Sequence, residues 1–240
     1  MLRRNERTRA GAFLVEGPNP VEEALGYGEV QDLFVDADAP DASDWLARGA
    51  VAVSGRVIEA LTDTSTPQGV VAVARMQTVA PTEVSGDLVV VLSDVRDPGN
   101  AGTIVRSAVA AGASAVVFCS GSVDPFNPKT VRATAGLLWH VDVVTGVALD
   151  TAAGELRDRG FLMIGADASS TKGPDEVDLT RPVALVLGNE SWGIEETSGR
   201  LLDDVVGIPM PGPAESLNVG IAASVLLFEA VRQRRAAGAV

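Results

Sequence analysis

One cysteine and one histidine, Cys119 and His140, are all that the 240 residues hold of the two side chains most used for transition metals. A lone thiol excludes an internal disulfide, and the pair cannot assemble the usual Cys/His zinc site, so no metal is expected. Positive charge is also scarce: 19 Lys and Arg stand against 32 Asp and Glu, for a formal net charge of −13. Nonspecific affinity for nucleic acid rests on phosphate neutralisation by basic side chains, and this balance argues against it. The deficit is spread along the chain, net −5 over residues 1–75 and net −8 over residues 76–240. Long apolar runs are missing as well. No stretch reaches membrane-spanning length, and Met1-Leu2-Arg3-Arg4-Asn5-Glu6-Arg7-Thr8-Arg9 leads into no uninterrupted apolar signal core. The expectation is a cytoplasmic protein with no membrane partner.

What is present is ample core material, with 46% hydrophobic residues, arranged in short apolar runs that alternate with helical patterns. In the first part, strands are expected at Phe13–Glu16, Asp32–Val35, Ala50–Val53 and Gly69–Ala74. Helices are expected at Val21–Leu25, with Asn19 as cap and Pro20 at the first position, and at Ser43–Arg48 and Val57–Leu61. The second part offers strands Leu88–Leu92, Ala115–Cys119, Val141–Val144, Phe161–Gly165, Val183–Leu187 and Val205–Ile208. Its helices are Thr103–Ala111, Pro128–Leu138, Thr151–Arg159, Ile194–Leu202 and a long one from Leu217 to Arg235. Such alternation specifies the α/β class, with a parallel sheet covered on both faces. The expected division is a small α/β domain over 1–76, a linker over 77–86 containing Pro81, and a larger domain over 87–240.

Three polar segments each follow an apolar strand in the second part. The first, Asp94 to Ala108, packs Pro98, Gly99, Asn100 and Arg106 into a bend that opens a helix. The second is Gly188-Asn189-Glu190-Ser191-Trp192-Gly193, and the third runs Ile208-Pro209-Met210-Pro211-Gly212-Pro213-Ala214-Glu215-Ser216-Leu217-Asn218. Strand-to-helix loops are where parallel sheets hold ligands. Glycines 188 and 212 let backbone approach a ligand, and the three prolines hold a loop open with little entropy to lose. Ser216 is placed to cap the last helix, whose N-terminus offers free N–H groups.

In this order the three segments resemble the signature motifs of the SpoU-type (TrmH-type) RNA ribose 2′-O-methyltransferases of the SPOUT superfamily, and the match covers nearly the whole chain. Gly11-Ala12-Phe13-Leu14-Val15-Glu16-Gly17, with arginines before it and Val21-Glu22-Glu23-Ala24-Leu25 after it, resembles the ribosomal-protein-like substrate-binding domain that often precedes that catalytic domain. The resemblance implies a parallel sheet whose C-terminal part is threaded into a deep trefoil knot, a homodimer, and S-adenosylmethionine as cofactor. It further implies a cofactor pocket built from Thr134, Ala135 and Gly136; Leu187, Gly188, Asn189 and Glu190; Ile208, Pro209 and Met210; and Ser216, Leu217 and Asn218. The implied substrate is RNA, ribosomal by preference, with transfer RNA as the alternative.

Arg106 leads the candidate catalytic residues. A guanidinium can clamp the phosphate beside a reacting 2′-hydroxyl, and holding both reactants supplies much of the barrier reduction. The resemblance also gives the matching arginine a general-base role, but arginine stays protonated in proteins, so electrostatic activation through the phosphate is the physically safer account. Pairing with Asp94 or Asp97 is the plainer alternative. Asn100, Glu190, Ser216 and Asn218 complete the set. Asn100 is placed to fix Arg106 or the ribose, Glu190 to orient Asn100 or Arg106 or hold a loop near the cofactor, and Asn218 stands one turn inside the last helix. Their plain readings are a turn asparagine, a carboxylate at a helix start, a helix cap and a polar residue bonded to backbone.

Arg3, Arg4, Arg7, Arg9, Arg96, Lys129 and Arg132 are the candidate RNA contacts, with solvated surface charge as the competing reading for Arg96, Lys129 and Arg132 and a mobile tail for the four N-terminal arginines. Trp45, Trp139 and Trp192 fit core or interface burial better than base stacking, and His140 reads as structural. A non-catalytic RNA-binding protein with the same fold is the main rival. A dehydrogenase reading of Gly99-Asn100-Ala101-Gly102 lacks the third glycine at the right spacing.

Overall fold

The structure is a computed structural model that describes residues 2–188 and 200–238. In chain order the described elements run α1 (Arg4–Ala10), β1 (Ala12–Glu16), α2 (Pro18–Tyr27), β2 (Val30–Asp36), α3 (Ala42–Ala47), β3 (Val51–Val53), α4 (Gly55–Leu61) and β4 (Val70–Arg75). They continue with β5 (Leu88–Leu92), α5 (Pro98–Ala110), β6 (Ala115–Cys119), α6 (Pro128–Ala133), β7 (Asp142–Val147) and α7 (Leu149–Asp158). Last come β8 (Leu162–Ala166), β9 (Val183–Leu187), β10 (Asp204–Val206) and α8 (Val219–Ala236).

Two compact units result. One comprises Met1–Gln77 and Asp124–His140, the other Thr78–Val123 and Val141–Val240. These units differ at one place from the contiguous division expected from the sequence, since residues 124–140 pack with the first unit. The cause is aromatic: Phe126 and Trp139 sit on Phe13 of β1, with ring centroids 4.9 and 5.9 Å away.

The first unit is built on a four-stranded sheet in the order β1-β4-β2-β3. Strand β4 is antiparallel to both its neighbours, and β3 is parallel to β2. Alternation sorts β1 between two cores. Ala12 and Leu14 join Ile58, Val71 and Val73 on one face, while Phe13 turns to the aromatic cluster on the other. Helix α1 was not foreseen. It forms because Arg7 drops into the interior, where its guanidinium binds the Asp124 carboxylate at 2.5 Å and the Leu2 carbonyl at 2.7 Å.

The second unit holds a six-stranded, wholly parallel sheet in the order β10-β8-β9-β5-β6-β7. Valine-rich β5, β6 and β9 are buried along their full length, as a sheet covered on both faces requires. Ala152, Ala153 and Leu156 of α7 close one face over Val89, Val91, Val117, Val186 and Met163. Helices α5 and α8 pack against each other and α8 against β9. Their approach is close: the Ser107 and Ser224 hydroxyls are 2.7 Å apart, and a Cβ on Gly220 would meet Thr103 Cγ2 at 3.1 Å. Buried Arg234 ties the end of α8 to the carbonyls of Leu179, Asp87 and Arg181, each at 3.0 Å, and pairs with the Asp87 carboxylate. No described helix is long and apolar enough to cross a membrane.

Several boundaries differ from expectation, and at the ends of four helices the local reason is plain. Helix α5 begins at Pro98 because Asp97 caps it with Pro98 at the first position, which draws Asn100 into the first turn rather than leaving it in a loop. Helix α6 stops at Ala133 because Ala135 and Gly136 take left-handed φ values of 53° and 90°. Helix α2 begins at Pro18, one residue before the expected Asn19 cap, with Gly17 as its cap. Helix α8 begins at Val219, which makes Asn218, and not Ser216, its cap. The expected helix Ile194–Leu202 falls mostly outside the described residues.

Candidate active site

In a parallel sheet every strand ends on the same edge, and ligands collect where the carboxyl ends diverge. Strand β5 ends there and hands the chain to α5, whose first turn is tied to the start of α8. The Asp97 carboxylate accepts the Asn100 N–H at 2.7 Å, and the Asn100 side-chain oxygen accepts the Asn218 Nδ2 at 2.8 Å. Asn218 Oδ1 in turn accepts the N–H groups of Gly220 and Ile221 at 3.0 and 3.3 Å. Asn218 thus does two jobs at once, and a serine-sized side chain would span less of the gap.

Beside that junction a cavity of about 200 Å³ opens at the ends of β8, β9 and β10. Leu187, Gly188, Ile208, Met210, Ser216 and Leu217, six of the residues expected to hold a cofactor, line it. Val219 and Ala222 of α8 form one wall, and Ala166, Asp167, Ala168 and Val206 another. These six were not anticipated. Their signal was position alone: Ala166 ends β8 and Val206 ends β10, beside the already suspected end of β9. Pro209 lies between two lining residues without lining the cavity itself. Asn189 and Glu190, like Trp192, lie outside the described residues.

Residues 167–172 wrap across the segment that follows β10. The Gly207 N–H donates to the Lys172 carbonyl at 2.8 Å, and the Ser170 hydroxyl to that of Val205 at 2.9 Å. A Cβ on Gly207 would lie 2.3 Å from the Ser170 carbonyl oxygen, so only glycine permits the crossing. Outer strand β10 is held by neighbouring charge. Burial alone would raise the Asp203 carboxyl, but hydrogen bonds from the Met163 N–H at 2.8 Å and Arg157 at 3.0 Å outweigh it and keep it below the ordinary value of 3.8. A hydrogen bond from Lys172 lowers Asp204 in the same way.

Arg106 is exposed on α5, two turns on from Asn100. The plainer alternative of an ion pair with Asp94 or Asp97 does not form: Asp94 pairs with Arg96 at 2.8 Å, and Asp97 caps α5. Arg106 has no ion-pair or side-chain hydrogen-bond partner among the described residues. Its guanidinium is therefore available to an anion. No group of three or more His, Cys, Asp or Glu among the described residues is placed to hold a metal ion.

The remaining candidates belong to the first unit. Thr134 is buried and its hydroxyl donates to the Val131 carbonyl at 2.7 Å, with Ala135 and Gly136 forming the left-handed turn after it. Arg132, expected to face phosphate, is instead held by the Glu16 carboxylate at 3.3 Å and by Asp63. Arg7 is likewise removed from the surface by Asp124. Arg3, Arg4, Arg9 and Lys129 are exposed. Trp45 donates to Asp41 at 2.7 Å and is buried, Trp139 stacks on Phe13, and His140 meets Glu23 at 2.7 Å, all structural arrangements. A groove of about 790 Å³ runs past Asn19, Thr64, Ser65, Thr66, Gln68 and Ala135.

Comparison with known proteins bears on this geometry. The model of the SpoU rRNA Methylase family matches residues 87–228, and that of the MRM3-like substrate binding domain matches residues 1–72. The chain is 36% identical over 230 residues to the Bacillus subtilis 23S rRNA (guanosine(2553)-2'-O)-methyltransferase RlmP, covering 94% of this chain and 90% of that protein. It is 34% identical to a 23S rRNA (uridine(2479)-2'-O)-methyltransferase of Streptomyces viridochromogenes, covering 96% and 86%. Among solved structures, the SpoU methyltransferase AviRb of Streptomyces viridochromogenes, in complex with the cofactor AdoMet, superposes with a TM-score of 0.88 at 32% identity, covering 97% of this chain and 94% of that one.

Proposed function

Because the chain belongs to the SpoU rRNA methylase family, we propose that it is an RNA methyltransferase that moves a methyl group from S-adenosylmethionine to a ribose 2′-hydroxyl of ribosomal RNA. One observation carries the reading. Residues from two separate motifs, Leu187 and Gly188 on one side and Ile208, Met210, Ser216 and Leu217 on the other, converge on a single cavity at the carboxyl edge of the parallel sheet. Its donor set suits the cofactor. Alkyl walls from Leu187, Ile208, Met210 and Leu217 accept an aromatic base, and backbone at Gly188 is open to hydrogen bonding with its edge.

The cofactor, when bound, supplies an electrophilic methyl group on sulfur. Everything else falls to the chain. Arg106 holds the phosphate next to the target ribose and offsets the negative charge that builds on the 2′-oxygen as its proton leaves. The Asn100–Asn218 bridge fixes the start of α8 against that of α5 and so keeps the cavity wall at Val219 and Ala222 in place. Asn189, Glu190 and Thr134 to Gly136 are assigned to cofactor binding by the family resemblance.

The first unit recruits RNA, with Arg3, Arg4, Arg9, Lys129 and the groove past Asn19 and Gln68 as the contact surface, and Arg96 serves the second unit in the same way. A homodimer is supported by α8, on which Ile221, Val225 and Phe228 form an exposed apolar stripe at helical spacing, 52%, 40% and 50% accessible. Support for a deep trefoil knot comes from the path after β9. The chain goes to β10 at the outer edge, passes residues 167–172 at Gly207, and returns to α8 beside α5. A ribosomal RNA substrate goes with a cytoplasmic site of action.

The test is incubation of the purified protein and labelled S-adenosylmethionine with ribosomal RNA, ribosomal particles and transfer RNA. Label entering ribosomal RNA, free or in particles, is the expected result. Label in transfer RNA alone, or in none of the three, overturns the assignment.

A further inference from the structure

The cavity at the ends of β8, β9 and β10 is walled by alkyl groups and backbone, with a single exception. Asp167 is the one charged side chain among its described lining residues. The residue is fixed from several directions. Its N–H donates to the Val206 carbonyl at 3.0 Å, and its carbonyl accepts the Ser170 N–H at 3.2 Å. Its Oδ1 accepts both the N–H and the hydroxyl of Ser169, at 2.8 and 2.7 Å. Oδ2 has no partner among the described residues. Lys172, the one basic residue of the 167–172 loop, is committed to Asp204 and does not neutralise it. A rigid, half-buried, uncompensated carboxylate in an otherwise apolar cavity acts on the charge of whatever enters.

The function proposed above, on which this inference rests, changes that charge. As the methyl group moves, the carbon–sulfur bond breaks with its electron pair staying on sulfur, a carbon–oxygen bond forms, and the hydroxyl proton passes to solvent. A sulfonium cation becomes a neutral thioether, and nothing else in the ligand changes. We propose that Asp167 is a specificity-determining residue whose carboxylate favours the sulfonium cofactor over the thioether product, so that methyl transfer itself loosens the ligand. The carboxylate is held by the same loop that crosses Gly207, so its position is set by the path of the chain rather than by a flexible tether.

The experiment is calorimetric titration of wild type and Asp167→Asn with S-adenosylmethionine and, separately, S-adenosylhomocysteine. Asparagine keeps an oxygen for Ser169, so the loop retains its bonds while the charge is lost. Affinity for S-adenosylmethionine is expected to fall roughly five- to twentyfold, the loss of one charge interaction at a protein cavity. Affinity for S-adenosylhomocysteine stays within about twofold, the scale of a small change in neutral hydrogen bonding. High salt narrows the difference in wild type and leaves the variant unchanged. An equal loss for both ligands would mean that the carboxylate reads a part they share, and that result overturns the inference, as does no loss at all. Wild type that binds neither ligand removes the proposed function itself, a different outcome from wild type that binds both while the variant leaves their ratio unaltered.

Discussion

Asn218→Ala is the perturbation with the most structure behind it. The asparagine caps α8 through two N–H groups and donates to Asn100 on α5, so alanine removes a cap and a bridge together. Loss of an asparagine cap costs about 1–2 kcal/mol, and the bridge adds about 1 kcal/mol. A total of roughly 2–3 kcal/mol is expected. Asn218→Asp separates the two contributions. Its carboxylate still accepts both N–H groups, suits the positive end of the helix, and can take a hydrogen bond from Asn100 once that amide turns over. This variant should stay within about 0.5 kcal/mol of wild type. Urea denaturation followed by far-ultraviolet circular dichroism measures both, and a cycle with Asn100→Ala should return a coupling of about 1 kcal/mol. Alanine and aspartate variants equally destabilised, or a coupling of zero, would refute the capping-and-bridging account.

Under the proposed function, Arg106→Ala should lower kcat roughly 10²- to 10³-fold with no change in unfolding midpoint, because the side chain has no ion-pair or hydrogen-bond partner among the described residues. Arg106→Lys should recover only part of the rate, since the charge returns without the planar fork. Phe228→Glu should convert the proposed dimer into a monomer in sedimentation; an unchanged sedimentation coefficient would remove the α8 stripe from the proposed interface. Burial pushes the Cys119 thiol from 9.0 up to about 12, so the native protein should resist iodoacetamide at neutral pH and react only after unfolding. Asp203 and Asp204 both titrate below 3.8 in the fold. Their contribution is present above that value and lost as pH falls through their folded pKa values. Asp203→Asn should flatten this acid limb of the stability profile below the ordinary carboxylate value.

The parallel sheet was legible because its strands announce themselves. Val89-Val90-Val91 and Val116-Val117 are β-branched runs too short for helices, each bounded by turn residues. The start of α5 was legible too, since Asp97 before Pro98 is a cap followed by a first-turn proline, but the Gly99-Asn100 pair drew the reading towards a loop. What escaped the sequence was non-local. Arg7 finds Asp124, and Arg132 finds Glu16 and Asp63, across separations that no periodicity reports. Charges that read as surface therefore turned out to be internal bonds. Asp167 escaped for a related reason. Its neighbours in sequence form an ordinary polar turn, and it becomes a cavity residue only once β8 lies between β9 and β10. Asn100 and Asn218 were both suspected singly, while their mutual bond depended on the docking of α8 against α5.

The most direct test of the central claim is alkaline hydrolysis of ribosomal RNA labelled by wild type and by Arg106→Ala with radioactive S-adenosylmethionine. A 2′-O-methyl group blocks cleavage of the adjoining phosphodiester, so the account predicts label in alkali-resistant dinucleotides with wild type and near-background label with the variant. Label released in mononucleotides would place the methyl on a base, and full incorporation by Arg106→Ala would remove the arginine from the chemistry; either result contradicts the account.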